Sequence, residues 1–414
     1  MDIAANKLQP HKYYAIALGS LLILLLSWNL AAALGHHGRP ILALARKCLS
    51  QTLISVRLNG SSDVSVAAGL LIAALAAANI LACVIFVKDV PTLAQRSGTL
   101  ALINLVPLYL GGSRSLWINI ACGVSHPVHG FAHRWIGRIC LALAISHGLA
   151  RLSMLEWKAT YMHVILMVLL CLLGTASTIL LRRRFYEVFV KSHVALSAGL
   201  QICLWLHISK GKNFETLCLG LAALLWSIHY AFWVARLAIR NLGGRTVPPG
   251  SIVALTDQGG SVKALALKIS LRRPWRLSHG QYIYITIPSV PRTVGSAVQS
   301  HPYMIAWAPE VADKITTELH LLVQCQRGFS DVLRLARATA TIWIDGPYGR
   351  GPKLDDFDKV LFLASGAGVA AHLLAIRHLL QGHNARTAQV RRLSLLWVLE
   401  SEGLFYNLFC MECS

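Results

Sequence analysis

The sequence predicts a multi-domain membrane protein, in which a helical transmembrane bundle is followed by a small antiparallel β-barrel and a short α/β lobe. Its 414 residues are 55% hydrophobic and only 14% charged, which excludes a purely soluble protein. Apolar runs long enough to cross about 30 Å of hydrocarbon fill the first part of the chain. After the breaker-rich string Gly243–Gly250 the hydropathy falls and short alternating strands begin.

Seven apolar runs are predicted to span the membrane. Four of the long runs contain no charged residue, namely Tyr13–Leu34, Val64–Val87, Tyr161–Leu181 and Thr216–Ala235. The others are Phe131–Ala150, Val188–Ser209 and the shorter Ser97–Ser113, whose Pro107 a packed membrane helix tolerates. Because the first run is long for the apolar core of a signal peptide, we favour an uncleaved helix over a cleaved leader.

Basic residues beside these runs predict the orientation. If the tail after the seventh span is cytosolic, Gly35–Asp63 and Arg182–Lys191 are cytosolic too, and they are richer in Lys and Arg than the opposite loops. The N-terminus then lies outside. The net charge of +21 is therefore interpreted as membrane anchoring, with lipid rather than nucleic acid as the expected partner.

Four histidines in the predicted spans indicate a function. His133 and His147 lie 14 positions apart, and His193 and His207 repeat that spacing. On a helix this spacing separates two side chains by roughly 21 Å along the axis and about 40° around it. Two such helices offer imidazole pairs at two depths, which suits two stacked six-coordinate haems. The predicted pairs are His133 with His193 at the inner haem and His147 with His207 at the outer haem.

Neighbouring polar residues have plainer interpretations. Arg134 and Arg138 could pair with haem propionates or could anchor the span at the inner surface, and both roles stay open. An isolated intramembrane histidine such as His163 or His229 is expected to bond a neighbouring helix or to line a cavity.

The soluble part is predicted to begin with a barrel and to end with a β–turn–α–β unit. The predicted barrel strands are Val262–Leu271, Gln281–Pro288, Leu319–Gln324 and Thr341–Asp345. The final unit comprises the strand Lys359–Ala364, the glycine turn Ser365–Val369, the helix Ala370–Leu380 and the strand Leu393–Leu399.

Two turns are candidate phosphate sites, because backbone N–H groups at a helix start bind phosphate readily. One contains Ser365, Gly366 and Gly368. The other contains Arg327, Gly328, Phe329 and Ser330, ahead of a predicted helix Asp331–Ala340. Each turn also has an interpretation without phosphate. The small residues of the first turn could serve helix–strand packing, and the serine of the second turn could be an ordinary helix N-cap.

Together these residues resemble the ferric reductase (metalloreductase) family of membrane flavocytochromes, which is related to the NADPH oxidases. The resemblance runs from about Ser97 to about Glu400 and includes the histidine spacings and the string His133–Arg138. In place of the family's His-Pro-Phe-Thr flavin motif stand His301, Pro302, Tyr303 and Met304, where Tyr303 keeps an aromatic ring for the flavin and Met304 replaces the hydroxyl residue. The family's Gly-Pro-Tyr-Gly is matched by Gly346, Pro347, Tyr348 and Gly349.

The resemblance implies four regions: N-terminal transmembrane helices at 1–96, a haem-binding transmembrane domain at 97–240, a ferredoxin-reductase-like FAD-binding barrel at 246–350 and an incomplete NAD(P)-binding lobe at 359–414. It implies electron transfer from cytosolic NADPH through FAD and two b-type haems to an outside ferric or cupric chelate. The plasma membrane is implied as the location. No catalytic side chain is required, because the cofactors carry the chemistry.

Two other functions stay open. A superoxide-generating oxidase uses the same cofactors. The other function is that of a haem-bearing membrane subunit without its own reductase activity. It stays open because a nicotinamide lobe needs about five parallel strands, and residues 359–414 offer two. In that case the chain is expected to be a truncated product or to need a full-length partner or a second copy. The Cys410–Cys413 pair is not expected to hold zinc, because no second ligand pair lies nearby.

Overall fold

A computed structural model of the protein describes residues 9–34, 66–111, 126–154, 161–208, 213–243, 250–256, 262–287, 300–309, 315–325, 333, 339–349 and 351–399. The chain divides into two compact units, Met1–Ala231 and Phe232–Ser414. The predicted cytosolic loop Gly35–Asp63, the candidate phosphate turn Arg327–Ser330 and the Cys410–Cys413 pair lie outside the described residues.

The first unit is built from apolar helices. They are α1 Pro10–Leu34, α2 Val66–Val84, α3 Val90–Gly111, α4 His126–Leu152, α5 Tyr161–Ala176, α6 Ile179–Arg184, α7 Tyr186–His207 and most of α8 Asn213–Asn241. Their Leu- and Ala-rich sequences have high helix propensity and leave few polar side chains to satisfy in a membrane.

Three of the described helical segments are long and apolar enough to cross a membrane, namely His129–Leu152, Val188–His207 and Asn213–Asn241. Gly69–Val84 and Tyr161–Ala176 are shorter apolar helices. Within the described residues, three of the seven predicted spans therefore meet the criteria of length and hydropathy. The total of seven stays a prediction.

The predicted span Tyr161–Leu181 is interrupted after Ala176. The hydroxyl of Thr175 donates back to the carbonyl of Cys171 at 2.8 Å, and the N–H of Thr178 turns to the carbonyl of Thr175 at 3.1 Å. Such side-chain bonds and tight turns compete with the regular helical ladder. Hydropathy alone could not reveal this break.

A cyclic polar network ties together the first three helices. Tyr14 on α1 donates to the amide oxygen of Asn104 on α3 at 2.8 Å. Asn79 on α2 donates to the Tyr14 hydroxyl at 2.8 Å, and Asn104 donates to the Asn79 oxygen at 2.7 Å. All three residues are buried. Interhelical bonds of this kind satisfy polar groups that would be costly in hydrocarbon.

After the end of α8, the second unit continues with a curled antiparallel sheet. Its strands are β1 Gly250–Thr256, β2 Val262–Arg276, β3 Tyr282–Thr286, β4 His301–Trp307, β5 Ile315–Gln324, β6 Thr339–Ala340 and β7 Trp343–Tyr348. The spatial order is β6-β1-β2-β5-β4-β3-β7. Alternate residues such as Leu267, Ile283 and Leu319 are fully buried on the inner face, as a half-buried strand requires.

The predicted helix Asp331–Ala340 does not extend to its expected end. Thr339 and Ala340 form β6, where they pair with Ser251 and Gly250 of β1. Pairing with an otherwise open strand edge outweighs the helical preference of the local sequence. The remaining part of this predicted helix lies outside the described residues, apart from Leu333.

The α/β lobe follows as predicted. Strand β8 (Lys359–Ser365), a 3₁₀ turn at Gly366–Val369, helix α9 (Ala370–Asn384) and strand β9 (Arg392–Val398) form one unit, with β8 and β9 parallel. Leu379 of α9 packs against Phe362, and both are buried. Three leucines of the strands remain about 60% exposed, namely Leu361, Leu363 and Leu396.

Candidate functional site

The four spaced histidines form two facing pairs between α4 and α7. The ring centroids of His133 and His193 lie 6.1 Å apart. Those of His147 and His207 lie 6.2 Å apart. The structure thus brings together the same partners that the equal spacing predicts.

These separations fit an ion held between two imidazoles. A metal–nitrogen bond is about 2.0 Å long, and the ring nitrogen lies about 1.2 Å from its centroid. Two rings on opposite sides of a metal therefore have centroids about 6.4 Å apart. The observed pairs come within a few tenths of an ångström of that value, so both suit the axial positions of a haem iron.

Helix α3 orients one ring of each pair through its backbone. His133 donates from Nδ1 to the carbonyl of Leu108 at 3.1 Å, and His147 donates from Nδ1 to the carbonyl of Ala94 at 2.7 Å. The two carbonyls are themselves 14 residues apart on a helix antiparallel to α4. Occupation of Nδ1 leaves Nε2 for a metal, which is how ligating histidines are usually held.

Local sequence explains why the Leu108 carbonyl is available and why the His147 ring can reach α3. Because α3 ends at Gly111, Leu108 is among the last four residues, whose carbonyls lack an intrahelical partner. At the other level, a Cβ added to Gly98 would lie 2.8 Å from Nδ1 of His147. Glycine at position 98 therefore gives the His147 ring room to approach α3.

Other polar residues near the pairs have varied surroundings. His163 of α5 lies beside His207, with ring centroids 5.2 Å apart, which agrees with the expected contact to a neighbouring helix. The guanidinium of Arg138 stacks on Trp135 at 4.5 Å. This contact leaves the choice between propionate binding and surface anchoring open.

The flavin motif lies on strand β4, and strand register divides its residues between two faces. Tyr303 pairs with Ile283, whereas Pro302 and Met304 pair with Tyr284 and Tyr282. Directly opposite residues share a face of the sheet. Tyr303 therefore lies on the inner face with the fully buried Ile283 and packs against the barrel core.

This placement differs from the expectation that Tyr303 offers its ring to a flavin. Burial raises the pKa of its phenol to about 12. Pro302 and Met304 instead occupy the outer face. His301, at the start of the motif, pairs with Ile285.

Three tyrosines form an aromatic cluster on that outer face. The rings of Tyr282 and Tyr348 stack with centroids 5.8 Å apart and an interplanar angle of 28°. Tyr284 meets Tyr348 edge-on at 5.6 Å. Sequence reasoning missed Tyr282 and Tyr284 as site residues, although their alternation in the string YIYIT places both on one face.

A buried ion pair lies beside this aromatic cluster. Arg236, near the end of α8, contacts the Asp345 carboxylate at 2.7 Å, with exposed side-chain fractions of 10% and 7%. Trp233 and the Tyr348 hydroxyl donate to the same carboxylate at 3.0 and 2.8 Å. Arg236 also donates to the Tyr348 hydroxyl.

Part of this guanidinium remains available for a ligand. Nε and Nη1 of Arg236 are buried and have no hydrogen-bond partner among the described residues. Buried donors of this kind call for an acceptor. A cofactor with phosphate and ring carbonyl oxygens, such as FAD, fits a face that combines aromatic rings with spare arginine donors.

The glycines of the Gly346–Gly349 motif are needed by the barrel itself. A Cβ on Gly346 would lie 2.9 Å from a methyl of Ile283, and one on Gly349 would lie 3.0 Å from the carbonyl of Gly280. Both glycines also have positive φ angles, of 152° and 84°. Pro347 and Tyr348 are thereby held at the end of β7, next to β3.

The Ser365–Val369 turn connects β8 to α9, as predicted. Trp397 of β9 donates to the carbonyl of Gly366 at 2.9 Å, and Gly366 has a φ of +50°. Gly368 is exposed and would place a Cβ in open space. A phosphate group could therefore approach the start of α9 at this position.

A cavity of about 250 Å³ lies near the other half of α9. His279 and His378 stack there at 4.8 Å, and Nε2 of His378 lies 2.9 Å from the Asp355 carboxylate. None of the turn residues lines this cavity. It is therefore separate from the candidate phosphate site.

Comparisons with known proteins agree with this layout. Residues 97–204 match the family model for the ferric reductase like transmembrane component, and residues 261–351 match the FAD-binding domain model. The first match contains His133, His147 and His193, and His207 lies three residues beyond its end. The second contains the β3, β4 and β7 face.

Among curated relatives, the protein named probable cell surface ferric reductase kap2 of Aspergillus oryzae is 25% identical over 75% of this chain and 44% of its own. Ferric/cupric reductase transmembrane component 7 of Saccharomyces cerevisiae is 28% identical over 68% of this chain and 46% of its own. A solved ferredoxin NADP+ reductase from Neisseria gonorrhoeae is 19% identical, matching 40% of this chain and 64% of its own with a TM-score of 0.29.

The chain spans less than half the length of the curated relatives it matches. Within that span the order of the two matched regions is the order of the two cofactor-type sites described above. The chain thus combines a region similar to the ferric reductase like transmembrane component with a region similar to an FAD-binding domain, and its curated relatives are named ferric or ferric/cupric reductases.

Proposed function

We propose that this chain moves electrons across a membrane, from a cytosolic reduced nicotinamide to an outside ferric or cupric chelate. The observation that carries the proposal is that two pairs of imidazole rings face each other, with ring centroids 6.1 Å apart in one pair and 6.2 Å apart in the other. Two levels of axial ligands in membrane-type helices suit an electron path through lipid. The ferric and ferric/cupric reductase names of the relatives support this acceptor class.

The histidines of this chain would hold two haems. His133 and His193 would hold one haem, and His147 and His207 would hold the other. Haems held by two histidines each would transfer electrons rather than bind oxygen. The carbonyls of Leu108 and Ala94 fix the tautomer and orientation of two of the rings.

Residues of the second unit would hold the soluble cofactors. Pro302, Met304 and the three-tyrosine cluster would face FAD, with Arg236 supplying spare donors. Ser365, Gly366 and Gly368 would contact the phosphates of NADPH at the start of α9. When bound, FAD accepts a hydride and releases electrons singly, and haem carries single electrons.

The orientation is proposed from charge. Arg182, Arg183 and Arg184 are the last three residues of α6, which lies just before the end of α7 that carries His193. Basic clusters are retained on the cytosolic side. His133 and His193 would then be the inner pair.

Haem absorption in isolated membranes tests the proposal. NADPH added without oxygen is expected to produce the reduced haem bands, and a ferric chelate added afterwards is expected to reverse them. A His193→Ala variant serves as the control that lacks an inner ligand. Reduction by dithionite but not by NADPH would contradict an intrinsic reductase activity.

A second candidate function is a haem-bearing membrane subunit that receives electrons from another chain. The exposed leucines of the two-stranded β8–β9 sheet favour it, because parallel sheets are normally covered on both faces. Recovery of NADPH-driven haem reduction on adding a full-length family member would distinguish this candidate from the first. Oxygen uptake without a metal chelate would instead indicate an oxidase.

A further inference from the structure

A cationic surface forms where α8 meets strand β2. Arg240 near the end of α8 has Arg273 of β2 among its electrostatic neighbours, and Arg272 and Arg276 lie close to Arg273 along the same strand. We call these four residues the arginine cluster. All belong to the second unit.

A β-bulge produces part of this surface. Ser270 pairs with Glu318 and Trp275 pairs with Thr316, so that residues 271–274 of β2 face a single residue of β5. Pro274 cannot donate a ladder hydrogen bond, which favours such an irregularity. Leu271 is buried in the core, whereas Arg273 and Pro274 are exposed. The bulge therefore directs cationic residues away from the barrel.

Aromatic stacking brings Arg240 to the same place. Its guanidinium lies over the buried Trp275 ring at 4.5 Å from the centroid. The electrostatic neighbours of Arg240 include Arg236 and Arg273, which carry the same charge. Concentrating like charges is unfavourable unless an anion offsets them.

The described carboxylates do not supply that anion. Asp345 is bound to Arg236, and Glu318 is bound to Lys268 and His320. Within the described ranges, no ion pair involves any of the four cluster residues. Among the described residues, the arginine cluster therefore has no carboxylate partner.

Helix length places Arg240, one member of this cluster, shortly after the apolar part of α8. Thr216–Ala235, the uncharged part of α8, has about the length needed to cross 30 Å of hydrocarbon. Arg236 and Arg240 come directly after it. Ile239 and Leu242, next to Arg240, are 52% and 56% exposed. Exposed apolar side chains beside arginines are typical of the boundary between acyl chains and headgroups.

We propose that the arginine cluster binds the headgroups of anionic phospholipids in the adjacent leaflet. The occupant is a membrane lipid rather than a free anion, because the apolar residues beside the cluster would have no role with a soluble phosphate. Four cations next to a membrane span give a preference for acidic over zwitterionic headgroups. This role is independent of the haem and flavin assignments.

Lipid selectivity of the full chain in bilayers provides the test. Spin-labelled phosphatidylserine and phosphatidylcholine report how strongly each lipid associates with the protein. An R272Q/R273Q/R276Q variant is expected to lose at least about threefold in its preference for phosphatidylserine. The matched control is R386Q/R391Q/R392Q, which removes three exposed charges from the α/β lobe and is expected to keep the preference.

Further arms keep the proposal falsifiable. An R272K/R273K/R276K variant retains the charge and is expected to retain the preference, even if the glutamine variant folds poorly. Equal lipid selectivity of the glutamine variant and the control variant would overturn the proposal. Displacement of phosphatidylserine by millimolar inorganic phosphate would also overturn it, because the cluster would then be a site for free anions.

Discussion

The candidate cofactor sites in the two units of this protein are built in different ways. In the membrane unit, four histidines and two backbone carbonyls define two sites, and each site depends on a few single contacts. In the barrel unit, the site is a sheet face assembled from β3, β4 and β7 and supported by the end of α8.

The difference shows how helices and sheets fix the relative positions of their side chains. A helix fixes the relation between residues 14 positions apart by its own geometry. A sheet face depends on register between strands that are distant in sequence. Changing one residue should therefore remove a whole cofactor from the membrane unit, whereas the barrel should respond through stability.

The largest expected effect is that of His147→Ala. Loss of this ring removes one of the two axial ligands at the outer level, so haem content should fall from two per chain to one or fewer. The pyridine haemochrome assay measures this ratio. His229→Ala, a change to another buried histidine of the membrane unit, is the control and should leave two haems. Two haems in both variants would show that His147 is not a ligand.

In the barrel unit, Asp345→Asn should have the largest effect on stability. It leaves the Arg236 cation buried without its partner, which costs about 3 kcal/mol or more. Calorimetry of the full chain should show a lower unfolding temperature for the barrel unit. Asp358 forms an exposed ion pair with Arg391 at 4.0 Å. Asp358→Asn should therefore change the unfolding temperature little. Similar shifts in both variants would contradict the importance assigned to burial.

Gly98→Ala should affect the outer histidine pair without removing a ligand. The added methyl would lie 2.8 Å from His147, and overpacking of this kind costs about 1–3 kcal/mol. The reduction potential of one haem should shift while the other stays constant. Gly69→Ala, where a Cβ meets nothing within 4 Å, should shift neither. An unchanged potential in Gly98→Ala would mean that α3 does not position His147.

Alkaline pH should weaken the barrel unit. Burial raises the pKa of Tyr303 to about 12, and burial together with the Asp345 carboxylate raises the pKa of Tyr348. Both folded-state pKa values exceed the unfolded value of about 10. The stabilisation is therefore complete below about pH 10 and is lost as pH rises above it. Tyr348→Phe should show a shallower loss in unfolding experiments at pH 9–11, and an identical pH dependence would contradict this account.

The smallest effect is expected for Met304→Thr. The side chain shares the outer face with Tyr282, and a hydroxyl there adds a hydrogen-bonding group that the family motif has. Retention of FAD after gel filtration, measured by fluorescence, should stay equal or increase. Loss of FAD would show that the flavin motif has been misaligned with His301–Met304.

Features that depend on contacts within one helix could be predicted from the sequence, whereas features that depend on contacts between distant residues could not. The histidine partners followed from spacing, because each helix carries both of its ligands. The inward placement of Tyr303 did not follow from its motif, because it depends on pairing with Ile283. Neither did the contact of Arg236 with Asp345, since the two residues lie 109 positions apart. The break after Ala176 depended on local side-chain bonds that hydropathy does not register.

The central claim is that α4 and α7 hold two haems, each between two imidazoles. Near-infrared magnetic circular dichroism of the purified full chain, after expression with ample haem precursor, tests it most directly. We expect the low-spin signature of bis-histidine ligation at two haems per chain. Haem-free protein, or a high-spin iron with an open axial position, would contradict the account.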